Sequence, residues 1–174
     1  SPNDLQYNQR RVAALADRPW KMLVGGKMVE ARNGERYATS SPSTEKQLAE
    51  VPLAQKADVE AAVEAAEKAY PAWRDMPVAG RVAILRSFIE VLKEHEHDLA
   101  LLDAANLGSP VTSMHGDVQL ACMLLDYICN VACEVKGQTI PGNGSNWHVT
   151  RREPYGVVGR IIPFNHPLMF AASK

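Results

Sequence analysis

The sequence predicts an α/β chain whose sheet is incomplete, and three observations carry that expectation. Long stretches between residues 58 and 135 place apolar side chains at three- and four-residue steps, the spacing of amphipathic helices. The later stretch "GVVGRIIPF" (156–164) is a near-continuous apolar run of the kind that fills a parallel sheet covered on both faces. No parallel neighbour for that strand is found before Val157, so the remaining strands are expected outside this chain.

The elements follow in order. "KMLVGGKMVEA" (21–31) sets two short apolar runs around Gly25-Gly26, a two-residue hairpin signal. Asn33-Gly34 offers a second turn and "SSPST" (40–44) an irregular stretch, so the chain is expected to open with small antiparallel pieces. From Asp58 to Tyr70 a stripe of Val59, Ala62, Val63, Ala66 and Ala69 predicts a helix ended by Pro71, its alanines inviting close approach to a neighbour. A longer helix is predicted from Val78 to Asp103, with Leu85, Phe88, Ile89, Leu92, Leu99 and Leu102 buried, terminated by Asn106 and Gly108. A third runs from Val111 to Val135 on a seam of Met114, Val118, Ala121, Leu125, Ile128 and Ala132. "KGQTIPGNGSN" (136–146) reads as a loop, and "WHVTRREP" (147–154) as a rather polar strand.

Composition narrows the function classes. Nineteen Lys and Arg against 20 Asp and Glu give a net charge of -1, which offers nothing to attract nucleic acid or an anionic membrane. Uncharged stretches are broken by polar groups and glycine, so no transmembrane span is expected. The first 20 residues lack the apolar core of a signal peptide, and a cytoplasmic location is the expectation. Cys122, Cys129 and Cys133 fall in one helix without a CxxC companion and read as buried reduced thiols rather than metal ligands. His95 and His97 are two apart and point to different sides of a helix, so "HEH" reads as a solvated face and no metal is assigned.

The chemistry-bearing residues gather at the end, in "RIIPFNHPLMFAASK" (160–174). Read from the residues alone, Asn165 caps a following helix whose first turn holds Pro167. Ile161, Ile162, Pro163 and Phe164 close the strand, and the carboxyl end of such a strand is where open α/β sheets bind ligands. "GVVG" is no dinucleotide fingerprint, since the third glycine is missing and the spacing is wrong.

Taken as an ordered set, these landmarks resemble the N-terminal part of the NAD(P)-dependent aldehyde dehydrogenase superfamily. "WKMLVGGKMVEA" is similar to its opening hairpin, and "YATSSPSTEKQLAEVPLAQKADVEAAVEAAEKAYPAW" to its next stretch into the first helix. "GRVAILRSFIEVLKEHEHDLALLDAANLGSP", "VKGQTIP" and "RREPYGVVGRIIPFNHP" follow in the same order. The resemblance implies an aldehyde-dehydrogenase-like α/β fold. Residues 1–134 would be the N-terminal part of an incomplete Rossmann-type cofactor-binding domain, 135–154 a segment of an oligomerisation arm, and 155–174 the first strand and helix start of the dinucleotide-binding sheet.

It also implies roles. Asn165 matches the asparagine whose side-chain amide forms half of the oxyanion hole, the other half being the backbone N–H of a catalytic cysteine beyond residue 174. Lys174 matches a lysine near that cysteine thought to help relay protons, and Ile161, Ile162, Pro163 and Phe164 match positions lining the cofactor cleft. The implied reaction oxidises an aldehyde to a carboxylate with NAD or NADP through a cysteine thiohemiacetal and thioester, in a protein that is a homo-oligomer when intact. Two other readings stand beside it: a non-catalytic helical scaffold, and a related acylating or reductive dehydrogenase. Phe164 stands where the family has Trp, His166 where it has Phe, and Ser109 where it has Lys. His166 reads as a residue near the substrate channel or as helix-terminal surface, without an assigned acid or base role.

Overall fold

A computed structural model describes residues 4–173. The first element is a helix that sequence periodicity did not call, α1 (Leu5–Ala16). Asp4 caps it by accepting from the N–H groups of Gln6 and Tyr7 at 2.9 and 3.2 Å. Only Leu15 and Ala16 are buried on it, too few to show as a stripe. Polar contacts hold it in place: Arg11 grips Asp98 in a bidentate pair through Nε and Nη2, and Asn8 meets His97 at 3.1 Å.

The opening hairpin forms as expected, β1 (Met22–Val24) against β2 (Lys27–Val29). Its Gly25 and Gly26 both take positive φ, +57° and +76°, which L side chains adopt at a cost. The Asn33-Gly34 turn also forms, the Gly34 N–H donating to the Ala31 carbonyl at 2.8 Å. It leads into β3 (Arg36–Ser40), paired antiparallel with β4 (Gln47–Pro52) across the irregular stretch.

Helix α2 (Lys56–Asp75) runs past the proline expected to end it. Pro71 lies on an exposed face, so the one carbonyl it leaves without an N–H partner, that of Glu67, is open to water. At the far end Arg81 donates to the carbonyls of Trp73, Arg74 and Met76, satisfying groups that a helix terminus orphans. At the near end buried Asp58 accepts from the N–H groups of Gln55 and Arg32, tying the hairpin arm to the helix. Ala65, an alanine outside the expected stripe, lies beneath Gly25, while Val59 and Val63 of the stripe face solvent.

The single helix expected over 78–103 is two, α3 (Val78–Glu94) and α4 (Glu96–Leu107), broken at His95. The break lets Ile89 and Leu92 of α3 and Ala100 and Leu101 of α4 all reach buried positions, while Phe88 is exposed. Gly108 in the left-handed region ends α4, and Asn106 stays inside the helix. Of the "HEH" stretch His95 is exposed as expected, whereas His97 is not part of a solvated face. His97 Nδ1 lies 3.1 Å from His115 Nε2, and His115 Nδ1 lies 2.9 Å from Glu96 Oε1, a chain that links α1 and α4 to α5.

Helix α5 (Val111–Val131), extended by one 3-10 turn (Ala132–Glu134), is the centre of the molecule. Met114, Val118, Ala121, Cys122 and Leu125 pack with Ile89, Leu92, Ala100 and Ala172 in one core. The seam drifts at its end, where Cys129 is buried in place of the expected Ile128. Cys133 is exposed, unlike the other two thiols. Contrary to the sequence expectation, residues Val111–Glu134 are long and apolar enough to cross a membrane by length and composition. Their apolarity has a local cause, since one face of α5 fills the core between α3, α4 and α6 (Pro167–Ala172).

Between α5 and α6 the chain is largely solvent-facing. The 136–146 loop and the 147–154 strand reduce to a two-residue ladder, β5 (Thr139–Ile140) with β6 (His148–Val149). The buried strand expected over 156–164 is absent among the described residues, and Ile161 is 98% exposed. A strand exists through its neighbours, and among the described residues none pairs with 156–164.

Candidate functional site

The residues singled out by sequence lie at the junction of this extended segment with α6. Ile161, Ile162, Pro163 and Phe164 form a solvent-facing apolar strip, with Phe164 85% exposed. Asn165 follows in a turn and is exposed. Lys174 lies outside the described residues.

The helix cap read for Asn165 is not what the backbone does. His166 occupies the N-cap position of α6, and the Phe170 N–H donates to the His166 carbonyl at 3.0 Å. The Asn165 side chain is therefore not consumed as a cap, and its amide stands at the surface one residue before the helix.

His166 has a partner the sequence reading missed. Its Nδ1 lies 2.6 Å from Oδ2 of Asp117, a residue 8% exposed on α5, and its ring meets Phe170 edge-on. A carboxylate oxygen can only accept, so the shared proton belongs to the imidazole nitrogen. Next to it the Leu168 N–H points to Asp103 Oδ2 at 3.4 Å, joining α6 to α4. Burial pushes the Asp103 carboxyl above the ordinary carboxylate range; the Leu168 N–H and the His166 charge work against that, and Asp117 adds to it. Two acids from two helices thus hold the start of α6, immediately after Asn165. A signal for Asp117 was present in the sequence: it stands between Met114 and Ala121 on the apolar seam, where an acid is out of pattern and a partner is required.

The cavity between α3 and α5, 680 Å³ in volume, is formed by other residues, among them Arg86, Ile89, Lys93 and Cys122. Its charges are engaged among themselves, Arg86 with Asp126 and Lys93 with Glu90, and burial raises the Cys122 thiol above its ordinary value. Chemistry is better sought at the Asn165 turn.

Comparison with known proteins identifies the family. The profile of the aldehyde dehydrogenase family matches residues 28–174. An aldehyde dehydrogenase of Aspergillus niger is 34% identical over 175 residues, spanning 100% of this chain and 33% of that protein. The NADP(+) succinate-semialdehyde dehydrogenase GabD of Escherichia coli is 30% identical over 153 residues, 87% of this chain and 32% of its own length. Among solved structures, the NAD+ complex of aldehyde dehydrogenase from Bacillus cereus superposes with a TM-score of 0.87 at 34% identity, covering 93% of this chain and 34% of that one. The chain thus spans about a third of the length of the relatives it matches. With helices and small sheets superposing on one part of a larger α/β fold, and with the profile running through the Asn165 turn, the chain belongs to the aldehyde dehydrogenase family.

Proposed function

We propose that the protein of which this chain forms about a third oxidises an aldehyde to a carboxylate with NAD or NADP, and that Asn165 is one donor of its oxyanion hole. The observation that supports this most directly is an exposed asparagine amide, left unused by helix capping, inside a segment that matches the family profile.

The chemistry explains the residue type. Attack of a thiolate on an aldehyde turns the carbonyl oxygen into an alkoxide, and a fixed neutral N–H stabilises charge as it develops. A cation in its place would bind the ground state as well, which lowers KM without raising kcat. A nicotinamide dinucleotide, when bound, accepts the hydride. The strip Ile161–Phe164 fits such a group: it is apolar, faces solvent and ends beside Asn165. Its part would be apolar contact with the rings, since the stretch carries no phosphate-cradling glycine pattern. Carry-over from the family further suggests that 135–154, with its small exposed ladder, belongs to an oligomerisation arm, and that Lys174 assists proton relay.

The test is Asn165→Ala in the full-length enzyme. Losing one oxyanion donor costs about 3 kcal/mol, so kcat for aldehyde oxidation should fall about a hundredfold with NAD(P)+ affinity unchanged. Steady-state kinetics with a cofactor titration reads both quantities. Unchanged turnover refutes the oxyanion role.

A further inference from the structure

Asn165 can stabilise a transition state only if its amide is held still. Residues 161–164 are exposed, and no strand pairing fixes them among the described residues. The first anchor after Asn165 is the next residue. His166 reaches across to Asp117 at 2.6 Å, and Asp117 sits on the central helix beside Met114, Val118 and Ala121, the most buried ground in the molecule. A hydrogen bond between a histidine and a nearly buried carboxylate fixes the ring, and with it the backbone that carries both His166 and Asn165. The Leu168 N–H on Asp103 fixes the same turn from its other side.

We infer that Asp117 is a positioning residue for Asn165, acting through His166. The inference rests on the reading of Asn165 as an oxyanion donor, and adds a residue from a different helix that touches neither substrate nor cofactor. Its physical basis is the steep dependence of catalysis on placement, where a shift of about 1 Å costs up to about a hundredfold in rate. Asp117→Asn weakens the charge-assisted bond without changing the shape of the side chain. With Leu168 still held by Asp103, part of the anchoring survives, so the expected loss in kcat is about tenfold rather than the full value of the donor.

A packing role alone would lower stability without depending on Asn165, and a double-mutant cycle separates the two. In the full-length enzyme, Asp117→Asn should lower kcat about tenfold and leave the aldehyde KM and NAD(P)+ affinity within about twofold. On the Asn165→Ala background the same substitution should cost nothing further, because the group it positions is gone. If Asp117→Asn is silent on its own, or multiplies fully with Asn165→Ala, the positioning role is refuted while the oxyanion role stands. If Asn165→Ala itself is silent, both fall. Should Asp117→Asn not fold, the cycle runs from the half-exposed partner. There His166→Ala should reproduce the loss, and His166→Gln, whose amide N–H reaches toward the same carboxylate, should restore most of it. Equal activity of those two variants also overturns the inference.

Discussion

Met114 is the sharpest probe of the helical core. It is 2% exposed on α5 and packs within the cluster that joins α3, α4, α5 and α6. Met114→Ala removes everything beyond Cβ and leaves a gap lined by side chains from several helices. Those helices are tied at other points, by Arg11 to Asp98 and by His166 to Asp117, so they cannot simply close in. Buried Met→Ala changes cost about 2–5 kcal/mol, and a site with this little room to relax belongs at about 3. For a chain of this size each kcal/mol lowers Tm by about 2–4 °C, which gives a drop of about 6–12 °C. Ile161→Ala is the control: its side chain is 98% exposed, and its effect should stay within about 0.5 kcal/mol. Denaturant unfolding of residues 1–174, followed by far- and near-UV dichroism, measures both. Equal effects for the two variants, or a Met114→Ala cost below about 1 kcal/mol, would refute a uniquely packed core and leave only loosely associated helices.

Two further outcomes are expected. Burial raises the Asp103 carboxyl, so its contribution to stability is fully present below the ordinary carboxylate pKa and is lost as pH rises through the raised value. Asp103→Asn should therefore gain stability relative to the parent as pH rises above the ordinary carboxylate pKa of about 4, and a gap that fails to widen in pH-dependent melts would contradict it. Gly137→Ala should unzip the small ladder, because the added Cβ would lie 1.9 Å from the Thr150 carbonyl oxygen, beside the Thr150 N–H bond to Gln138. Hydrogen exchange at 138–150 should accelerate while the α5 core keeps its protection, and unchanged exchange there counts against the ladder.

What could be read from the sequence was whatever is decided locally. The Gly25-Gly26 hairpin, the left-handed stop at Gly108 and the Met114–Leu125 stretch of the α5 seam follow from residue type and spacing alone. The misreadings share a cause, which is that distant groups settle them. Pro71 does not stop α2 because its face is wet and Arg81 takes up the carbonyls at the helix end. His97 is no surface residue because α1, itself without a visible stripe, brings Asn8 to it. The 78–103 periodicity runs unbroken through His95, although the helix does not, because Ile89 and Leu92 before it and Ala100 and Leu101 after it must turn toward one core. At the site, the Asn165 position was legible through its motif, whereas the hold on it was not. Asp117 is 49 residues away from His166 in sequence and meets it only because α6 docks on α5.

That docking bears on how the missing part of the site must be completed. If Asn165 is an oxyanion donor, the helical core would supply one edge of that hole, from α5 through His166, while the strip 161–164 is unpaired among the described residues. An open row of backbone groups beside apolar side chains is a template for strand pairing. The same row that would recruit neighbouring strands ends at the residue that would donate to the alkoxide. Sheet completion and assembly of the reacting centre would then be one event, with Asn165 already oriented when the strands arrive. Such an order makes the helical core a scaffold that folds first, and it predicts that slow steps in refolding of the full-length enzyme lie in pairing of 156–164 rather than in formation of α3–α5. Pulsed hydrogen exchange would show α5 amides protected in an early phase and those of 157–162 in the activity-recovering phase; simultaneous protection of both would argue against it.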